Sequence, residues 1–328
     1  MKKIEPEIKQ AAEKETLPDI DLSEQHIRDS QLQMLFAICH PSISKEAQVC
    51  LALRVLCGFG IEEIANAFLS NKETIGKRLQ RAKEKLRQEK AVIEFPAAAE
   101  VQQRLDAVLL TLYLLYNEGY YSESEDSVLR EDLCLEAMRL TKLLIENETS
   151  NTAQVNALFA LMCFHASRFA ARKDGNGEMI LYDEQDEDRW NKKLIEEGAY
   201  YLHKASGGTS ISKYHLEASI AYWHTVKDDT EKWEQILQLY NHLLQIAYSP
   251  IAALNRTYAL AKVRGKQTAI MEAEQLQLKD NPYYYTLLAE LHQDSDKDKA
   301  KGHYITALSL AKTNAERQTL QKKIASLQ

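Results

Sequence analysis

Glycine and proline are scarce, 11 and 6 in 328 residues, well under an average use of about 7% and 5%. So few chain breakers, in a sequence dominated by the strong helix formers Ala, Leu, Glu, Lys and Gln, indicate an all-α class. Long apolar runs are missing too. No stretch approaches the ~18 consecutive apolar residues of a membrane span, so no membrane partner is expected. The opening "MKKIEPEIKQAAEKETLPDIDLSE" alternates charge with no apolar run behind its lysines and cannot act as a secretory signal. Cys39, Cys50, Cys57, Cys134 and Cys163 are odd in number and lack CxxC spacing, which speaks against a disulfide framework and for a reduced, cytoplasmic compartment.

Catalytic signatures are equally absent. There is no GxSxG, Walker or GxGxxG pattern, and "SGGTS" at 206–210 reads as a loop. Cys163 and His165 diverge on a helix, as do Cys39 and His40, so no metal geometry emerges. The expectation is a protein that is not an enzyme, with no catalytic residues, metal or cofactor. "KDGNGEMILYDEQDEDRW" invites a calcium reading, but Met179 and Gln185 stand where an EF-hand needs Gly and Glu. A tight turn over Asp174–Gly177 with "MIL" as a short strand is the simpler expectation. In "YNEGYYS" a helix C-cap at Gly119, with Asn117 and Glu118 before it, accounts for the polar pair.

What is present is helix after helix. Residues 1–30 are polar and contain Pro6 and Pro18, a leader without a core of its own. A compact helical unit spans 31–92, and Glu94–Pro96 reads as a linker. Amphipathic segments at 97–117, 127–147, 151–170, 187–205 and 211–226 make a helical domain over 97–228. From 229 to 328 the helices shorten to about a dozen residues. There Pro250 and Pro282 each open a helix, and Ala300, Tyr304 and Ala307 have the small, aromatic, small spacing of stacked helix pairs, a tetratricopeptide-like rhythm.

The charge is unevenly spread. Lys72–Lys90 holds eight basic residues against three acidic, a local surplus of five that leaves −12 on the rest of a chain of −7. Ile61, Ile64, Ala65 and Phe68 form one apolar stripe, and Ile75, Leu79, Ala82 and Leu86 another. Between them Ser70 and Glu73 read as a capping box. Two tightly joined amphipathic helices, the second strongly basic, describe a helix-turn-helix whose second helix enters the major groove. Lys72, Glu73, Thr74 and Lys77 are the candidate base readers with Arg78 at their flank, and Arg81, Lys85 and Arg87 the phosphate contacts.

The stretch "SKEAQVCLALRVLCGFGIEEIANAFLSNKETIGKRLQRAKEKLR" resembles region 4 of bacterial extracytoplasmic-function sigma factors. By that resemblance Lys72, Thr74, Lys77, Arg78 and Arg81 inherit contact with the promoter −35 element, and the unit docks on the β-flap of core RNA polymerase. "LDAVLLTLYLLYNEGYYS", "LCLEAMRLTKLL", "LYDEQDEDRWNKKLIEEG" and "ALNRTYALA" resemble the tetratricopeptide-like extension of one sigma-factor group, which is thought to modulate the factor within its own chain. In that setting Asp183, Gln185, Asp186, Arg189 and Trp190 form a candidate docking loop. The family's region 2, which melts promoter DNA, has no counterpart in residues 1–30. The expectation is a transcription initiation factor. The alternative is a helical-repeat interaction scaffold that holds a peptide or its own chain in an acidic groove, or a stand-alone regulator without initiation activity.

Overall fold

A computed structural model describes residues 23–68, 70–120, 130–172, 180, 182–226, 231–311 and 313–327. The expected leader falls largely outside these residues, as do the Asp174–Gly177 turn and all of the "MIL" segment except Ile180. Among the described residues there are fifteen α-helices and no strand. They are α1 Glu24–Ile38, α2 Lys45–Val55, α3 Ile61–Ala67, α4 Lys72–Gln88, α5 Ala98–Tyr120, α6 Glu131–Glu146, α7 Ala153–Ala166 and α8 Lys192–Ala205. The remainder are α9 Lys213–Trp223, α10 Lys232–Ile246, α11 Pro250–Arg264, α12 Lys266–Leu276, α13 Pro282–His292, α14 Lys297–Leu310 and α15 Asn314–Ala325. None is long and apolar enough to cross a membrane.

Side-chain caps set most of the starts. Ser44, Asn71, Thr152, Asn191, Ser249 and Asp296 each accept a hydrogen bond from a backbone N–H of the first turn, satisfying donors that the helix leaves unpaired. Pro250 and Pro282 stand at the first helical position, where a missing N–H costs nothing. The expected helix from 187 begins later: Glu187–Arg189 is a 3-10 turn, and α8 starts only after Asn191 caps it.

Two expectations need correction. Helix α5 does not end at Gly119 but runs through it to Tyr120. The residue is glycine because α6 comes so close: a Cβ there would lie 2.7 Å from the Arg130 carbonyl oxygen and 2.8 Å from both Leu133 Cβ and Cys134 Sγ. The cap of α4 is likewise Asn71 and not Ser70, with Asn71 Oδ1 accepting from Thr74 N at 2.8 Å.

One hydrophobic core runs through α1 to α9 without interruption. Helices α1 and α2 bury Leu32, Leu35, Cys39 and Leu51 in the same cluster as Leu109, Leu112 and Leu115 of α5 and Leu144 of α6. Buried polar contacts cross this seam. Thr111 Oγ1 donates toward Gln48 Oε1 at 3.2 Å and accepts from Cys39 Sγ at 3.5 Å, while Gln48 Nε2 holds the His40 carbonyl at 3.1 Å. Even the 94–96 stretch is tied in, through an edge-on contact of Phe95 with Phe36 at 5.2 Å.

Beyond α9 the core breaks into three smaller ones that share no buried residue. Helix α9 joins the first to what precedes it, giving Tyr214, Ala218 and Ala221 to the large core and Leu216 and Ile220 to the next. Helices α11 and α13 are two-sided in the same way.

Glu217, on the flank of α9, accepts from the Tyr113 hydroxyl at 3.4 Å. Burial raises its carboxyl from 4.5 to about 7, against the opposing pull of Lys213 and Tyr113. The folded chain therefore holds this proton more tightly than the unfolded one. That stabilisation is full below about pH 4.5 and is lost as pH rises through about 7. Glu217→Gln should raise the thermal midpoint at pH 8 and leave it nearly unchanged at pH 4. An equal shift at both would show that the carboxyl does not titrate in this window.

Candidate nucleic-acid interface

The α3–α4 pair is built as its apolar stripes dictate. Ile64 and Ala65 of α3 and Ile75, Leu79 and Ala82 of α4 are buried in the main core, with Leu86 packed at its edge. The chain reverses in a few residues, with Ser70 N donating to the Ala65 carbonyl at 2.8 Å, and Asn71 then caps α4. Burial of that seam leaves Lys72, Glu73, Thr74, Lys77, Gln80, Arg81, Lys83, Glu84, Lys85 and Arg87 exposed.

Five of the eight candidate residues line one groove. Thr74, Lys77, Arg78, Arg81 and Lys85 form one wall, and Ser42, Ile43, Ser44 and Ala47, where α2 begins, form the other. Its volume is about 560 Å³. Ser44 Oγ caps α2 by accepting from Ala47 N at 3.3 Å, so the positive end of the α2 dipole opens at the groove beside the cations. Glu46 is the acidic residue of that first turn, and its own backbone amide and the Ser44 hydroxyl hold its carboxyl below the usual range. The groove is thus lined by cations on one side and by hydroxyls and a helix start on the other.

The other three, Lys72, Glu73 and Arg87, lie outside it, and several of the groove residues are themselves paired or braced. Lys72 lies outside the groove and pairs with Glu62 of α3 at 2.8 Å. Glu73, released from capping, pairs with Lys77 at 2.6 Å, and Lys85 pairs with Glu89 at 2.8 Å. Lys85 also pulls the Glu89 carboxyl below its ordinary value. Arg78 is half-buried, its guanidinium 3.8 Å from Cys50 Sγ and 5.9 Å from the Phe68 ring centre. Arg78 therefore braces α4 against α2 and α3, while Arg81 turns outward. Sequence reading missed the serine wall and the carboxylates that neutralise three of the lysines. Ser44 was detectable as the cap before "KEA", but only the fold puts it opposite Arg81.

The candidate docking loop does not present its side chains together. Trp190 is buried and stacked on Tyr182, with ring centres 6.3 Å apart. Gln185 Nε2 donates inward to the Ile180 carbonyl at 3.3 Å. Asp186 Oδ1 accepts from Asp188 N at 3.0 Å and caps the short turn, and Arg189 is exposed. Asp183 belongs to the preceding 3-10 turn, and its side chain lies outside the described residues.

Residues 104–206, from α5 through α8, match a family of unknown function, DUF6596. An uncharacterized protein of Rhizobium meliloti (strain 1021) is 33% identical over 262 residues, which is 79% of this chain and 62% of that protein. The chain thus spans under two thirds of the length of this curated relative. No solved structure matches the chain.

Proposed function

We propose that the chain binds double-stranded DNA through the groove between α2 and α4, as the promoter-reading part of a sigma-type transcription initiation factor. The observation that carries this reading is the convergence of Lys77, Arg81 and Lys85 with Thr74, Ser42 and Ser44 on one open groove. The α3–α4 pair would act as the helix-turn-helix, with α4 in the major groove. Arg81 and Lys85, with the first turn of α2, would hold phosphates, and Thr74 and Lys77 would face base edges. The likeness of Ser44–Arg87 to sigma region 4 supports the same assignment and implies docking on the β-flap of core RNA polymerase.

The α10–α15 array would be the tetratricopeptide-like part, regulating the factor or holding a partner. The second reading is a helical-repeat scaffold that holds a partner, but the −12 outside Lys72–Lys90 does not fall on this array, in which basic residues outnumber acidic ones. Because the ion pairs of Lys72, Lys77 and Lys85 must open before phosphates can replace the carboxylates, binding to arbitrary DNA should be weak.

The test is titration of a labelled 30-bp duplex at several salt concentrations, with and without core RNA polymerase. Lys77→Glu with Arg81→Glu, both at exposed positions, should weaken binding by at least about 30-fold. It should also lower the salt slope by about one, the phosphate contact of Arg81. Unchanged affinity in a folded double variant would refute the groove as a DNA site. Loss of DNA binding with retained flap binding is the pattern expected of a sigma module.

A further inference from the structure

At the joint between the large core and the first small one, five buried side-chain atoms make no hydrogen bond. They are His165 Nδ1, Arg168 Nε, Gln185 Oε1, Trp190 Nε1 and His224 Nδ1. Buried polar groups in folded proteins are almost always paired, and each unpaired one costs about 1–3 kcal/mol. Five in one place point to an occupant.

The five are held together by two tyrosines. Arg168 donates to the Tyr120 hydroxyl at 3.3 Å, and its guanidinium lies 5.4 Å from the Tyr182 ring centre. His165 packs on Tyr120 at 4.6 Å, while His224 and Trp190 pack on Tyr182 at 4.9 and 6.3 Å. Gln185 follows Tyr182 by three residues and is anchored by its amide to Ile180. Two more cations close in: the Arg172 guanidinium 3.8 Å over the Tyr120 ring and Lys232 Nζ 2.9 Å from the Tyr182 hydroxyl.

The charges that act on the two histidines are cationic. Burial and the neighbouring Arg168, Arg172 and His224 push His165 well below its ordinary pKa. Burial with Arg168 and Lys232 pushes His224 down to about 3. Both imidazoles are therefore neutral at pH 7, and each can offer an N–H or a lone pair.

We infer that this joint is a binding site for a phosphate group carried by a small molecule. Its oxygens would accept from Arg168 Nε, from the Trp190 indole N–H and from the two imidazoles, in an environment where charge-assisted bonds are strong. The Gln185 carbonyl oxygen needs a donor, which a protonated phosphate oxygen supplies and an ionised carboxylate does not. The aromatic rings would wall the site. This inference stands apart from the DNA reading, because none of these residues lies in the α2–α4 groove.

The test uses the full chain and inorganic phosphate, followed by calorimetry and by Trp fluorescence, with succinate as the carboxylate arm. Saturable phosphate binding is expected, weakened at least about 10-fold in Arg168→Gln by loss of a hydrogen bond to a charged group. Trp190→Phe, which keeps a ring against Tyr182 and removes only the N–H, should weaken it severalfold and covers the case of Arg168→Gln failing to fold. Arg81→Glu, in the groove, should leave it unchanged. Absence of saturable binding, equal binding by Arg168→Gln and Trp190→Phe, or loss of binding in Arg81→Glu would overturn the inference. Succinate binding in place of phosphate would overturn the assignment of the ligand.

Discussion

Cut after residue 92, the chain should fail to form α1–α4 as a stable unit, although the four helices and the whole basic groove between α2 and α4 lie within what is kept. The reason is the continuity of the core. Leu32, Leu35, Cys39 and Leu51 share one buried cluster with residues of α5 and α6, and Phe36 is covered by Phe95. Burying one such Leu or Phe side chain is worth about 1.5–3 kcal/mol. Exposing even three or four of them removes as much as a domain's entire stability of about 5–15 kcal/mol. The cut also strips Gln48 Oε1 of its Thr111 donor and Arg28 of its ion pair with Glu146. Circular dichroism and amide exchange on residues 23–92 should show little protected helix, whereas a chain ending after α9 should retain it. A folded, DNA-binding 23–92 fragment would show that the seam with α5 contributes little.

Gly119→Val should lower the unfolding free energy by at least about 3 kcal/mol. On an exposed helix, replacing glycine by a residue with a side chain is usually favourable, since glycine is the poorest interior residue after proline. Here the sign reverses. The first added carbon would sit 2.7 to 2.8 Å from a backbone oxygen and two side chains of α6, and the two γ-methyl groups enlarge the collision. Relief requires moving the start of α6, which breaks the Arg130 N to Gly119 carbonyl bond at 2.8 Å and loosens Leu133 and Cys134 in the core. Overpacking of this kind costs about 1–3 kcal/mol, sometimes more. Urea titration measures the loss directly, and a change under about 1 kcal/mol would mean that α6 shifts freely.

Helix α5 also shows what could be read from the chain and what could not. Its body follows from its apolar periodicity, but its end was misjudged because glycine after a polar pair is the usual signature of a helix stop. Only the approach of α6, fixed by tertiary packing, explains a glycine inside the helix. The same distinction holds at α4. The basic surplus and the seam of Ile75, Leu79 and Ala82 are plain in the sequence, yet charge counting gives no direction to a side chain. Arg78 and Arg81 look alike in one dimension; both line the groove, but Arg78 is half-buried and braced against Cys50 and Phe68, whereas Arg81 is exposed. The carboxylates of Glu62, Glu73 and Glu89, which mute the apparent surplus, could be anticipated only where spacing is helical, as for Glu73 and Lys77. The buried cluster at Tyr120, His165, Arg168, Trp190 and His224 left no local trace, since its members are spread over four segments that the fold alone assembles.

The three small cores after α9 bear on how the molecule comes apart. A single large core yields all at once, because every buried side chain loses neighbours when any helix leaves. Cores linked only through two-sided helices behave as a chain of nearest-neighbour couplings, in which a terminal unit can open while its neighbour but one is undisturbed. Heat or tension applied at the C-terminal end thus meets a sequence of low steps, α14 and α15 giving way first. The helices α2 and α4 that frame the basic groove, seated in the core that runs from α1 to α9, are insulated from those openings, and a partner that binds or displaces the last helices would be felt at the groove only as far as α9 carries it.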